Sequence, residues 1–267
     1  MPEGHTIHRL ARDLYRAFGR RPVAASTLQP RFDGGAAQLD GATLTRADAH
    51  GKHLFLTFRA QRPADRCLHV HLGLYGKFPI ATAPALEPRG ALRLRLENEE
   101  RWADLRGPTA CELVSPVERE VILARLGPDP LRSDADPDRA WARISRSKVA
   151  IGALLMSQDV LSGIGNVYRA EVLFRHAINP YREGRLLRRV DWDAIWLDLC
   201  VLLREGVRAG RIVTTRPADR PRGRARREDS FYVYRRAGEP CRICGTEIRT
   251  EVMIGRNLFW CPYCQPA

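Results

Sequence analysis

Cys241-Arg-Ile-Cys244 and Cys261-Pro-Tyr-Cys264 bracket the 16 residues 245–260, and these two pairs decide how the end of the chain folds. Two closely spaced thiolates on each of two tight turns place four sulfurs around one tetrahedral ion, the pattern of a zinc site. Disulfide pairing is the competing use of four cysteines, and it needs an oxidising compartment. The chain opens with no basic stretch followed by an apolar core, so no secretory signal is expected and zinc is preferred over disulfides. Four protein ligands leave no position for water, so the ion holds a small domain together, with binding typically worth ~10–16 kcal/mol. Between the pairs, Met253-Ile-Gly-Arg256-Asn257 reads as a hairpin tip. Arg256 on that tip either grips a phosphate or sits in solvent, and the spacing leaves both open. Cys67, Cys111 and Cys200 lie in apolar surroundings and are expected to be inert core thiols.

Working back from the cysteines, residues 216–227 hold six arginines with two prolines and one glycine, which reads as a mobile basic loop. Asp191 begins a helix whose Trp192, Ile195, Trp196, Leu199, Leu202 and Leu203 form one apolar stripe, with Gly210 after it. The aromatics on that stripe are read as packing. Ser162-Gly-Ile-Gly165-Asn166-Val-Tyr168 lies between two apolar helical patterns. A Gly-x-Gly turn entering a helix can leave backbone N–H groups to bind a phosphate, and an ordinary helix–helix turn has the same composition. Val149 to Met156 reads as a helical core segment, and Asp136-Pro137 as an N-cap with proline in the first turn. Gly127-Pro-Asp-Pro130 and the acidic stretch after it read as a linker.

Before the linker the period changes. Residues 54–58, 67–70 and 92–96 are short apolar runs with strand character inside a region, 23–115, that suggests a sandwich or barrel. At the start, Ile7, Leu10, Ala11, Leu14, Ala17 and Phe18 recur at helical spacing until Gly19 and Pro22.

The chain has 267 residues, which suggests roughly two domains. Its 44 basic side chains exceed 31 acidic ones, giving +13, while 44% of residues are hydrophobic and five are Trp. Wholesale disorder is excluded by that hydrophobic content, and no apolar run approaches the ~20 residues of a membrane span. A soluble intracellular protein with a polyanionic partner is the expectation. Only Lys52, Lys77 and Lys148 are lysines, so side-chain amines are scarce.

The chain's own terminus is the other amine. Met1 precedes a small residue, so its removal would leave Pro2 as a secondary amine beside Glu3. A terminal amine has a pKa near 7.7–8.0, and the positive end of the following helix lowers it further. In neutral form it attacks a sugar aldehyde to give an iminium, with a neighbouring carboxyl moving the protons. An ordinary helix lead-in has the same residues.

Met-Pro-Glu-Gly at the start, Gly51-Lys52-His53 before a strand, Gly163-Ile-Gly-Asn166 and the four-cysteine ribbon occur together in this order. That combination resembles the formamidopyrimidine-DNA glycosylase and endonuclease VIII family of base-excision repair enzymes, over residues 2–265. The resemblance implies an α+β, multidomain fold. An N-terminal helix and β-sandwich would fill 1–126, a linker 127–136, a helix–two-turn–helix domain 137–229 and a zinc finger 230–267, with DNA in the cleft between the halves. It implies one structural zinc on Cys241, Cys244, Cys261 and Cys264, and no diffusible cofactor.

The resemblance also implies roles. Pro2 matches the nucleophile that displaces the base and forms a Schiff base with C1′. Glu3 matches the general acid that helps open the sugar. Lys52 matches a lysine that contacts phosphate and serves β-elimination, and Arg256 matches an arginine of phosphate gripping and δ-elimination. Asn166 and Arg125 match DNA-backbone contacts. His71-Leu-Gly-Leu-Tyr75-Gly is similar to the endonuclease VIII loop that fills the gap left by the extruded nucleotide, which makes Leu74 and Tyr75 the expected wedge. Gly73 stands where that branch can carry glutamine, and His5 where many relatives have proline. The purine branch uses an Arg–Phe pair instead, and Asp104-Leu-Arg106-Gly-Pro108 lacks the Phe. The expected enzyme is therefore a bifunctional DNA glycosylase and abasic-site lyase for oxidised pyrimidines. It would act as a cytoplasmic monomer on damaged double-stranded DNA, nucleoid-associated when bound, with no membrane partner. A purine-lesion glycosylase and a non-catalytic binder of abasic or gapped DNA are the alternatives.

Overall fold

Strict alternation of side chains builds the first half of the molecule. On strand β3 (His53–Arg59), Leu54, Leu56 and Phe58 point to one face and are fully buried, while His53, Phe55 and Thr57 point to the other. The computed structural model describes residues 2–59, 65–221, 223 and 226–267, and the chain divides into two units, Met1–Arg125 and Leu126–Ala267.

In the first unit, helix α1 (Gly4–Phe18) buries Ile7, Ala11, Leu14 and Phe18 and stops at Gly19, whose N–H donates to Tyr15 O. Strand β1 (Ala24–Ser26) precedes a short helix α2 (Asp33–Leu39) and strand β2 (Thr43–His50). After β3 come β4 (Arg66–His71), β5 (Ile80–Thr82), β6 (Leu92–Glu97), β7 (Arg101–Arg106) and β8 (Ala110–Val114). They form two four-stranded antiparallel sheets, β1-β6-β7-β5 and β2-β3-β4-β8. One core joins α1 with inward residues of both sheets, among them Leu54, Leu68, Val70, Leu94 and Leu105. Truncating any of these leucines to Ala would cost about 2–5 kcal/mol.

The outer face of β2-β3-β4-β8 is only partly covered. Helix α3 (Pro116–Ala124), opened by a Ser115–Glu118 capping box, lays Ile122 and Leu123 over Phe55, Cys67 and Val114. On the same face, His53, His69 and His71 follow at the far end of the strands.

The second unit is helical and then a ribbon. Asp136 caps α4 (Pro137–Ile144) by accepting from Asp138 N at 2.9 Å, with proline in the first turn. Helix α6 (Asn166–Arg175) and helix α7 (Arg189–Ala209) share a core that includes Trp192, Ile195, Leu199 and Leu203. Gly210, at φ 71, ends α7 as its glycine predicts. Phe259 of the ribbon hairpin, β9 (Arg249–Met253) and β10 (Arg256–Trp260), and Ile248 just before it share a core with Ala170 and Phe174 of α6 and with Tyr232 and Val233.

Two local readings change. The helical reading of 149–156 reduces to α5 (Ile151–Leu154). The amides of Ile151 and Gly152 donate to the carbonyls of Arg182 and Pro180, which no local periodicity encodes. The Gly127–Pro130 stretch is buried inside the second unit, and its ends are tied by Gly127 N to Gln158 O and Ser162 N to Pro128 O. Cys67 and Cys200 are buried and Cys111 half-buried, and burial raises all three thiol pKa values, that of Cys111 to about 12. No helix among the described residues is long and apolar enough to cross a membrane.

Candidate nucleic-acid interface and metal centre

The four cysteines of the ribbon come together. Their sulfurs all lie within 4.8 Å of one another, with Cys244–Cys261 at 3.5 Å and Cys241–Cys264 at 3.9 Å. A zinc with Zn–S bonds of ~2.3 Å needs sulfurs about 3.8 Å apart, so the cluster has the size of one tetrahedral zinc. Each knuckle turns a backbone N–H back onto its first sulfur, Ile243 N to Cys241 Sγ and Cys264 N to Cys261 Sγ, both at 3.5 Å. Thiolates accept such bonds. Gln265 then ties the ribbon to the helices, donating from Nε2 to Ile178 O at 2.8 Å and accepting from Cys261 N at 3.0 Å.

The hairpin tip is where its sequence placed it. Arg256 pairs with Met253 across a two-residue turn, and Ile254 is forced to φ 51, a costly conformation for a β-branched residue. Beside it, a cavity of 480 Å³ is lined by Arg143, Met156, Ile254 and Arg256, among others. The next residue connects the tip to α6: Asn166 Nδ2 donates to Asn257 O at 2.8 Å, and Asn166 Oδ1 accepts from the buried Arg169. The structure thus brings Asn166 and Arg256 into one assembly. Residues 162–168 are buried, and the Gly163 amide donates to Gln158 Oε1 at 3.0 Å. That amide is therefore used within the protein.

Sequence reasoning missed Glu171 on α6. Its fully buried carboxylate accepts from the amides of Tyr232, Val233 and Tyr234, each at 2.8 Å, and from the Thr214 hydroxyl. Burial raises its pKa, and those four donors oppose the rise. The segment entering the ribbon is held by this one side chain.

In the first unit, Pro2 is half-buried and Glu3 fully buried at the N-terminus of α1. Glu3 is the N-cap residue, with extended backbone, and its carbonyl accepts from Thr6 N at 2.9 Å. His5, the second residue of α1, has its pKa lowered to about 4 by burial, then by the terminal ammonium, Arg9 and His8. It stays neutral at physiological pH.

Lys52 stands in the two-residue turn between β2 and β3, with His50 paired to His53 beneath it. Gly51 takes φ 57 at the first central position, the pattern of a type II′ hairpin, which only glycine adopts without strain. His53 pairs with His71 at the end of β4, so the Lys52 turn and the loop after His71 lie at one end of the sheet. That loop closes on Gly76, whose N–H donates to Leu72 O at 2.9 Å. A Cβ on Gly76 would lie 2.2 Å from that same carbonyl, so the closure requires glycine. It leaves Leu74 and Tyr75 outside, Tyr75 84% exposed. His71 Nδ1 lies 2.8 Å from Thr109 Oγ1 and accepts from Gly73 N at 3.2 Å, which ties the ring to the start of the loop.

Arg125 is exposed at the C-cap of α3. Arg106 is tied down: its guanidinium donates to Asp104 at 2.6 Å and to Arg89 O, while Asp104 also holds Arg95 at 2.7 Å. Of the basic stretch 216–227, Arg222, Arg224 and Ala225 lie outside the described residues. Described parts include a short 3-10 turn, Pro217–Asp219, and the Tyr232 hydroxyl bonded to Arg216 N at 2.9 Å.

Three family models match the chain, in the order the sequence motifs predict. The formamidopyrimidine-DNA glycosylase N-terminal domain matches residues 1–111, its H2TH domain 126–217, and the zinc finger found in FPG and IleRS 238–267. The chain belongs to the formamidopyrimidine-DNA glycosylase and endonuclease VIII family. It is 50% identical to Endonuclease 8 1 of Mycobacterium tuberculosis, over 99% of this chain and all of the relative. It is 34% identical to a formamidopyrimidine-DNA glycosylase of Geobacillus kaustophilus, over 86% of this chain and 84% of that one. The fold is that of Lactococcus lactis Fpg bound to a Fapy-dG containing DNA, with a TM-score of 0.82 at 24% identity over both full chains. As a family member the protein is a DNA glycosylase with abasic-site lyase activity, built around one structural zinc.

Proposed function

We propose that the enzyme removes oxidised pyrimidines through an imine on Pro2 and then cuts the strand by β,δ-elimination. The observation that carries this reading is the start of α1, where Pro2 adjoins a completely buried Glu3 on a helix end that disfavours a cation. With Met1 removed, the neutral Pro2 nitrogen attacks C1′ of an extruded nucleotide. The C1′–N bond breaks and the base leaves with a proton. The Glu3 carboxyl gives a proton to O4′ as the sugar ring opens, which leaves an iminium between Pro2 and C1′.

Lys52 and Arg256 serve the steps that follow. Loss of a C2′ proton expels the 3′ phosphate, and loss of a C4′ proton expels the 5′ phosphate. Water then hydrolyses the iminium and returns Pro2. Arg125, Asn166 and Arg256 contribute to holding the backbone, and Leu74 and Tyr75 fill the stack. The protein works as a cytoplasmic monomer.

The choice of pyrimidines is supported by two features. Tyr75 projects as a wedge from the loop after His71, and Arg106 is engaged by Asp104 where the purine branch would use an Arg–Phe pair. Competition between duplexes containing 5-hydroxyuracil and 8-oxoguanine tests it. Preferential excision of 5-hydroxyuracil is expected, and preference for 8-oxoguanine would assign the enzyme to the purine branch. Binding of abasic DNA without excision or nicking, by protein whose mass shows a free Pro2, would replace catalysis with recognition alone.

A further inference from the structure

The outer face of β2-β3-β4-β8 carries a hydrogen-bonded chain that the reaction above does not use. His53 Nδ1 lies 2.9 Å from His69 Nε2, and His69 Nδ1 lies 3.0 Å from Glu112 Oε1. The three side chains stand on β3, β4 and β8, across the strands. His69 is almost fully buried, its ring at 5.1 Å from both His53 and Phe55 and within 20° of parallel to each.

The chemistry fixes the protons. An ionised carboxylate only accepts, so Glu112 takes the Nδ1–H of His69. His69 Nε2 is then an acceptor and takes the Nδ1–H of His53. The remaining His53 nitrogen, Nε2, carries a lone pair. Both ring orientation and tautomer of His53 are therefore set from a residue on β8, as second partners set a catalytic imidazole elsewhere. Burial, then His71, His69, His50 and Lys52, lowers the His53 pKa to about 3, so the ring is neutral throughout the working range. Lys52 and Glu112 are the charged groups beside this chain, with His50 and His71 at its end; beyond the Phe55 ring, Arg119 of α3 is ion-paired to Asp48 of β2 at 3.2 Å.

Phe55, Cys67 and Val114 fill the neighbouring positions of the same face with apolar atoms. A buried imidazole costs desolvation that an apolar ring would not. The chain ends at the root of the turn: His53 is the ladder residue next to Lys52, across from His50.

We propose that His53 is a positioning residue for Lys52, braced by His69 and Glu112, and that the brace serves strand cleavage rather than imine formation. The proposal rests on the reading of Lys52 as an elimination residue. A brace of this kind fixes where the turn points, and small misplacements of a catalytic group are costly in rate.

The test uses the full-length zinc protein, an abasic duplex and three variants. His69→Phe keeps a ring of similar size and breaks the chain. Glu112→Ala removes the acceptor, and Glu112→Gln restores one without charge. Nicking kcat and KM are measured beside the rate of borohydride trapping, over pH 5–9. The expected result is a drop in nicking kcat of about tenfold or more in His69→Phe. KM and trapping should change less than twofold, Glu112→Ala should lie between, and Glu112→Gln should recover most of the loss. Equal nicking in folded His69→Phe would overturn the proposal, and so would a parallel fall in trapping, which is what a purely structural role gives.

If the wild-type protein neither traps nor nicks, the reading of the reaction fails instead, and the brace is read directly. Imidazole 15N shifts at pH 7 should show His53 protonated on Nδ1, with the proton moving toward Nε2 in Glu112→Ala. Protonation of wild-type His53 on Nε2 would overturn the brace.

Discussion

Asn166 Nδ2 donates to the backbone carbonyl of Asn257 at 2.8 Å, so the first residue of α6 holds the strand that carries Arg256. The other end of the same amide accepts from Arg169, which is itself buried. A side chain matched by resemblance to a DNA contact is thus also a strut between the helical part and the ribbon tip. Asn166→Ala leaves Arg169 and the Asn257 carbonyl each short of a partner, a cost of about 1–3 kcal/mol. Nicking should fall by roughly fivefold to 100-fold while zinc content stays at one per chain, measured by metal analysis beside gel assays of an abasic duplex. Restoration of nicking by Asp, which cannot donate, would contradict the strut.

Zinc removal should reach beyond the ribbon. Phe259, Ile248 and Cys261 share a core with Ala170 and Phe174 of α6, and Gln265 bonds to Ile178. Chelation under mild conditions should lower the melting temperature and abolish DNA cleavage, with both restored by one equivalent of zinc. Calorimetry with and without chelator checks this. An unchanged transition would show that the ribbon folds without metal.

Acid should loosen the joint between α6 and α7. Burial tends to raise the Asp198 pKa, but His176 at 3.1 Å and Arg175 at 2.6 Å outweigh it and hold the carboxyl at about 2. A carboxylate depressed in the fold stabilises above its unfolded value and loses that contribution as pH falls from about 4 to about 2. The loss is about 2 kcal/mol. Asp198→Asn should therefore be less stable than wild type at pH 6 and converge with it near pH 2, by urea unfolding. A constant difference across that range would contradict the assignment.

Tyr75 is the most exposed aromatic near the Lys52 turn, and its job in this account is to occupy the stack once a nucleotide leaves. Tyr75→Ala should lower excision from a duplex by about tenfold, equivalent to ~1–2 kcal/mol of lost stacking. The effect on a single-stranded substrate should be much smaller, since nothing there has to be unstacked. Stability should be unchanged.

Features that depend on neighbours in sequence were readable before the structure. The cysteine spacing announces the metal cluster, the alternation at Leu54, Leu56 and Phe58 announces an inward face, and the stripe from Trp192 to Leu203 with Gly210 after it announces α7. Features that depend on distant partners were not. Val149–Met156 has helical composition, but the amides of Ile151 and Gly152 are taken by carbonyls about a helix away in sequence, so only Ile151–Leu154 is helical. Gly127–Pro130 has the residues of an exposed connection and is buried, because composition marks a turn without saying what covers it. The His53–His69–Glu112 chain draws its members from three strands, the last two 43 positions apart, and no motif spans it. Glu171 sits mid-helix with no local cue, since its partners at 232–234 come from the far side of α7 in sequence.

The central claim is that the terminal nitrogen of Pro2 does the chemistry, and borohydride trapping tests it most directly. Protein confirmed by mass to begin at Pro2 is mixed with 5-hydroxyuracil and abasic duplexes in the presence of borohydride, and the adduct is digested and mapped. The account predicts trapping on both duplexes, with the reduced sugar on the Pro2 peptide, and none in Pro2→Ala. An adduct on Lys52, or undiminished trapping in Pro2→Ala, would contradict it.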